Sequence, residues 1–191
     1  MMDTTFLPSD DVLIWIDAEF TGLNIDSDEL LEVACIPTDY KLHQLADGIN
    51  LIIRPSDSAL DNMSDFVYKM HTESGLINEL ADGIDIQVAE QQLLAYIKQF
   101  AITRGEALLA GNSIWSDKRF LDKFMPKVSE HLSYRMIDVS SVKMLVKKWY
   151  PSIYDAAPQK EGTHRALVDI EESIEELMYY RNKVFVEGGI W

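Results

Sequence analysis

The sequence predicts an α/β fold, a mixed sheet of about five strands flanked by helices. Three observations predict it. Three apolar, strand-like runs come first, within residues 12–54. Shorter apolar runs then alternate with segments of helical periodicity, the pattern of strands joined by helices. At 191 residues, 47% hydrophobic and 26% charged, the chain is long enough to bury a sizeable core.

Residues 1–11 read as a disordered lead-in, with neither the basic region nor the apolar core of a signal peptide. Val12–Phe20 is the first expected strand, and Thr21–Asp28 a polar loop. Glu29–Thr38 and Gly48–Arg54 follow as strands, joined through turn-prone residues 39–47, and Pro55 ends the third. Ala59–His71 reads as a helix broken by Ser74-Gly75. Asp85–Ala101 carries Val88, Leu93, Leu94, Ile97 and Phe100 near helical spacing. Ala107–Ala110 is a short strand ending at Gly111-Asn112-Ser113, and Ser116–His131 a helix with Phe120, Leu121 and Phe124 inward. Tyr134–Val139 is the last strand, followed by a helix over Ser141–Trp149 and a loop over Pro151–Glu161. Thr163 is placed to cap a final helix reaching Phe185, with the stripe Leu167, Ile170, Ile174, Leu177 and Met178. Residues 187–191 read as a loose tail, so 12–186 is expected to be one domain.

No apolar run approaches the roughly 18–20 residues of a membrane span. The single cysteine, Cys35, lies in an apolar stretch and reads as a buried inert thiol. It excludes an intrachain disulfide and a cysteine metal cluster. Together these points favour the cytoplasm. Thirty-two acids against seventeen Lys and Arg give a net charge of −15. Since phosphate contacts from basic side chains supply most affinity for long nucleic acid, long DNA or RNA should bind poorly. A short nucleotide substrate held by metal ions is compatible with this charge.

The chemistry starts at Asp17 and Glu19 in Ile14-Trp15-Ile16-Asp17-Ala18-Glu19-Phe20-Thr21-Gly22-Leu23. Side chains at i and i+2 of a strand share a face. Two adjacent carboxylates in a buried strand are costly unless a cation compensates them. Three later stretches join them: Gly111-Asn112-Ser113-Ile114 with Asp117 in a first helical turn, Tyr134-Arg135 with Asp138-Val139-Ser140, and Gly162-Thr163-His164-Arg165-Ala166-Leu167-Val168-Asp169. Converging oxygen-only ligands suit Mg²⁺ or Mn²⁺, two ions roughly 3.5–4 Å apart in sites for in-line phosphodiester displacement. His164, with an ordinary pKa near 6.5, suits proton abstraction from water near neutral pH.

In order and spacing, Asp17-x-Glu19, Asp117 and His164 with Asp169 resemble the DEDDh exonuclease superfamily. The flanking residues, from Trp15 to Leu23 and from Gly162 to Asp169, resemble its oligoribonuclease family over roughly residues 12–185. That resemblance implies a ribonuclease H-like sheet and a metal-dependent 3′→5′ exoribonuclease acting on dinucleotides to oligomers of a few residues, releasing 5′-mononucleotides. It implies Asp17, Glu19, Asp117 (through water) and Asp169 as metal ligands, Asp17 bridging two ions, and His164 as general base. By the same resemblance Leu23 wedges between bases and Phe66 stacks on one where relatives carry tryptophan. Ser113, Arg135 and Ser140 cap the 5′ phosphate, His71 lies near the 3′ nucleotide, and Tyr134 is supplied from a partner subunit, implying a homodimer.

Other readings of the same residues stay open. Leu23 and Phe66 suit a core, Arg135 a structural ion pair, and His43 and His131 the surface. Ala18 and Phe20 fall on the opposite strand face and should affect packing. A proofreading or tRNA-trimming exonuclease would need longer strands and usually basic patches or a polymerase partner. A non-catalytic nucleotide-binding module would not need all five motif residues.

Overall fold

The computed structural model describes residues 11–159 and 162–186. The expected lead-in, apart from Asp11, and the expected tail lie outside these residues. One sheet of five strands runs in the order β3-β2-β1-β4-β5. Its strands are β1 (Leu13–Phe20), β2 (Leu30–Thr38), β3 (Ile49–Ile52), β4 (Leu108–Gly111) and β5 (Met136–Asp138). β1–β2 and β2–β3 are antiparallel, whereas β1–β4 and β4–β5 are parallel. The sheet is therefore mixed, as the early strand cluster and later alternation predict.

The period of two along β1 divides the core. Ile14, Ile16 and Ala18 point to one face, where they meet α3 (Ile86–Ile97), α4 (Trp115–Phe124) and α5 (Pro126–His131). Phe20 also packs there, its ring centroid 4.1 Å from that of Phe120. Leu13 and Trp15 point to the other face, against Ala166, Ile170 and Ile174 of α8 (Ala166–Val184). Asp17 and Glu19 continue that second row, so alternation delivers both acids to the side on which α8 lies. Small Ala34, Ala110 and Ala166, each buried, let helix and sheet approach closely. Trp15 Nε1 is satisfied by Thr38 Oγ1 at 2.9 Å, so its indole is buried without an orphaned donor.

Several boundaries differ from expectation. The helix expected at 59–71 is two, α1 (Asp57–Asp61) and α2 (Asp65–Glu73). Ser56 and Ser64 each accept a backbone N–H at a helix start, and buried Met63 pins the joint between them. Pro126 restarts the expected 116–131 helix as α5. The Pro-containing loop forms the short helix α7 (Pro151–Asp155) after α6 (Val139–Trp149). Val88 is exposed, not inward, and His131 is buried with Nε2 2.8 Å from Ala101 O, correcting its surface reading. Cys35 is fully buried and burial pushes its thiol up, which makes it unreactive. Among the described residues no helix is long and apolar enough to cross a membrane.

Candidate active site

The parallel strands β1, β4 and β5 end on one edge, and the site is built there. Asp17 and Glu19 come from the end of β1. The pairing register with β2 shifts between Glu19 and Phe20, and such a bulge re-aims side chains where it occurs. Asp169 lies in the first turn of α8, where the helix dipole favours a carboxylate. Oxygens of Asp17, Glu19 and Asp169 lie within 4.8 Å of one another. Asp117, in the first turn of α4, is buried, and its Oδ1 accepts the Ala18 N–H at 3.0 Å. It therefore flanks the three-carboxylate cluster and is tied to the strand between the two β1 acids.

The electrostatic cost is large. Burial, then the neighbouring Asp169, Glu32 and Asp117 carboxylates, push Glu19 up to about 8. Burial pushes Asp117 up to about 7 despite its backbone hydrogen bonds. Such crowding is the signature of a site completed by cations. Three carboxylates with oxygens this close fit a divalent metal ion.

Asp17, Glu19, Asp117, His164 and Asp169 line one cavity of about 420 Å³, together with Leu23, Phe66, Ser113, Asn112 and Ser173. Leu23 and Phe66 are 70% and 77% exposed, so the core reading fails for both. They stand on the rim, one from the loop after β1 and one from α2. A Cβ on Gly22 would come within 2.5 Å of Asp28 Oδ2, so a larger residue beside Leu23 would displace the carboxylate that accepts from Thr21 Oγ1 and the Asn24 N–H. His164 is exposed on the segment leading into α8, with a left-handed backbone (φ 52°).

Ser113 and Ser140 meet from the ends of β4 and β5. Their hydroxyls are 3.1 Å apart, and the Ser113 N–H donates to both Asp138 Oδ1 and Ser140 Oγ. Asp138 also accepts the Ser140 N–H, capping α6. Ser113 is itself left-handed (φ 51°), which this convergence sustains. Arg135 and Tyr134 are exposed just before the start of β5, the guanidinium 4.5 Å from the Tyr134 ring centroid. Neither they nor Ser140 lines the cavity with the acids. His71 does not reach it either. It is fully buried behind Glu19, Nε2 donating to Phe20 O at 2.9 Å and Nδ1 4.0 Å from Glu19 Oε2. Burial holds its pKa below the usual range, so its ring is a neutral prop for the Glu19 strand end.

The sequence assigned no role to three residues that the structure ties to the site, Asn112, Glu32 and Arg165. Asn112 donates to Ser173 Oγ (2.8 Å) and to Glu176 Oε2 (3.2 Å), and accepts from Ser140, linking α8 to the serine pair. Glu32, on β2 directly opposite Glu19, is fully buried and binds Arg165. Its signal was one acid in the apolar run Leu30-Leu31-Glu32-Val33-Ala34. Thr163 does not cap α8. Arg165 is the N-cap residue, and the Ala166 N–H donates to Glu32 Oε2 at 3.2 Å.

The chain is similar to known proteins in sequence and in fold. An exonuclease family model, RNase_T, matches residues 14–177. An oligoribonuclease of Leifsonia xyli subsp. xyli is 51% identical over 93% of this chain and 86% of its own. The chain belongs to the oligoribonuclease family. Another member, the human mitochondrial oligoribonuclease, is 48% identical over 91% of this chain and 73% of its own. The zinc-bound E. coli exonuclease I–single-stranded DNA complex superposes with a TM-score of 0.72 at 12% identity. That match covers 92% of this chain and 41% of exonuclease I, and its likeness gives the fold, ribonuclease H-like.

Proposed function

We propose that this oligoribonuclease-family protein is a metal-dependent 3′→5′ exoribonuclease that hydrolyses RNAs of two to a few residues to 5′-mononucleotides. The observation that carries it is the Asp17–Glu19–Asp169 cluster on the floor of a cavity rimmed by exposed Leu23 and Phe66. The four acids Asp17, Glu19, Asp117 and Asp169 would hold two divalent cations, Mg²⁺ or Mn²⁺. Bound there, such ions supply positive charge and an acidified water.

The chain's own residues do the rest. Phe66 offers a stacking platform, worth about 1–3 kcal/mol per base and tolerant of sequence. Leu23 separates adjacent bases. Ser113, Ser140 and Arg135 receive the 5′ phosphate at the far end, and so limit substrate length. His164, at the cavity mouth, takes the proton of the attacking water as its oxygen bonds to phosphorus. The P–O3′ bond breaks, and the departing oxygen takes a proton. His71 acts from behind Glu19. Residues 12–186 form one exonuclease domain. The protein works in the cytoplasm as a homodimer, each protomer presenting its exposed Tyr134 to the other's site.

A product time course on 5′-phosphorylated RNAs of two to twenty nucleotides, with and without chelator, tests this reading. Dinucleotides should turn over fastest, and chelator should stop the reaction. Preference for the 20-mer would favour a trimming or proofreading enzyme, and binding without cleavage in saturating Mn²⁺ a non-catalytic module.

A further inference from the structure

His164 occupies a backbone region that costs a non-glycine residue on the order of 1 kcal/mol. Such a conformation persists only where the surroundings dictate it. Among the described residues no hydrogen bond holds its imidazole, so its placement must come from the backbone. The next residue is fastened on two sides. Arg165 Nη1 and Nη2 donate to Glu79 Oε1 and Oε2 at 2.8 and 3.1 Å, a bidentate pair. Its Nε and Nη2 donate to Glu32 Oε1 at 3.3 and 3.1 Å. Glu32 is 0% exposed on the interior strand β2, between β3 and β1. Its other oxygen accepts the Ala166 N–H, and Asn50 Nδ2 donates to Oε1 at 2.7 Å. Glu79 is anchored in turn between the short 3₁₀ turns Leu76–Asn78 and Leu80–Asp82, whose Leu76 and Leu80 are buried. One guanidinium thus clamps the peptide after His164 to the sheet and to a separate surface segment.

We propose that Arg165, held in the Glu32–Glu79 fork, is the positioning residue that sets His164 at the mouth of the cavity. This rests on the reading of His164 as general base. The fork is the active element, not the charge. Lysine offers a point charge and cannot span both carboxylates in a fixed plane.

The test measures dinucleotide hydrolysis in saturating Mn²⁺ for Arg165→Met, Arg165→Lys and Glu79→Gln, each in the parent and in a His164→Ala background. In the parent, Arg165→Met should lower kcat by about tenfold to a hundredfold, with KM held within about threefold, since Leu23 and Phe66 are untouched. Arg165→Lys should recover little of that loss. In the His164→Ala background the same changes should cost under about twofold, because two residues acting as one unit are not additive. Full rescue by lysine overturns the proposal, as does an equal loss in both backgrounds. Glu79 lies partly exposed, so Glu79→Gln carries the test if Arg165→Met does not fold, with a loss of about threefold to tenfold expected in the parent alone. Failure of His164→Ala to slow the reaction would instead sink the general-base reading, a separate result.

Discussion

Replacing Glu19 by glutamine should stabilise the metal-free protein while destroying its capacity to gain from metal. Glu19 goes from 4.5 to about 8, chiefly through burial. Asp117 goes from 3.8 to about 7. Because both folded values exceed the unfolded ones, the native state binds more protons between them. Stability is then fullest below about 4 and falls as pH rises through about 7 to 8. For Glu19 alone the difference corresponds to about 5 kcal/mol at alkaline pH. Asp169, Glu32 and Asp117 share that burden, so the single substitution should recover about 2–3 kcal/mol at pH 8.5 and close to none at pH 4.5. Urea unfolding in chelator across this range measures it for parent and Glu19→Gln. Adding Mn²⁺ at pH 8 should reverse the order, since the parent then gains binding free energy that the variant lacks. Parallel pH profiles for the two proteins in chelator would refute the electrostatic account of the cluster.

Other outcomes follow from the same site. Asp169→Asn should cut dinucleotide turnover by about a thousandfold or more while leaving a folded protein, as judged by product chromatography and circular dichroism. His164→Ala should lose about a hundredfold to ten-thousandfold in kcat, with Mn²⁺ affinity by calorimetry within about threefold of the parent. Phe66→Ala should lower kcat/KM by about fivefold to a hundredfold through KM, with an unchanged melting temperature because the ring is exposed; Phe66→Trp should lower KM. Ser140→Ala should narrow the rate advantage of a 5′-phosphorylated dinucleotide over its unphosphorylated form by about fivefold, since one donor to the phosphate is lost.

The site was legible wherever a local pattern carried it. Asp17 and Glu19 stand two apart in a strand, and the two-residue period sends them to one face without reference to the rest of the chain. Asp117 falls in the first turn after a strand end, and His164 with Asp169 at a loop-to-helix junction. The helix breaks at Met63 and Pro126 were less legible, because a serine cap or an N1 proline competes with an apolar stripe that runs across it. His71 and His131 illustrate the limit. Nothing local tells the surface histidine expected at 131, or the one expected near the 3′ nucleotide at 71, from a histidine whose Nε2 meets the backbone carbonyl of a distant segment.

By itself, then, the sequence determined the strand order along the chain, the face on which the two β1 acids lie, the five residues of the motif and the acidic net charge. The tertiary structure decided which acids crowd together, Asp17, Glu19 and Asp169 as a cluster with Asp117 beside it. It also decided what caps α8 and what fastens the segment carrying His164. The reason is distance along the chain. Arg165 and Glu32 are 133 residues apart, and their contact depends on strand register, on the bulge at Glu19 and on how closely three alanines let α8 approach the sheet. Local propensity encodes none of these.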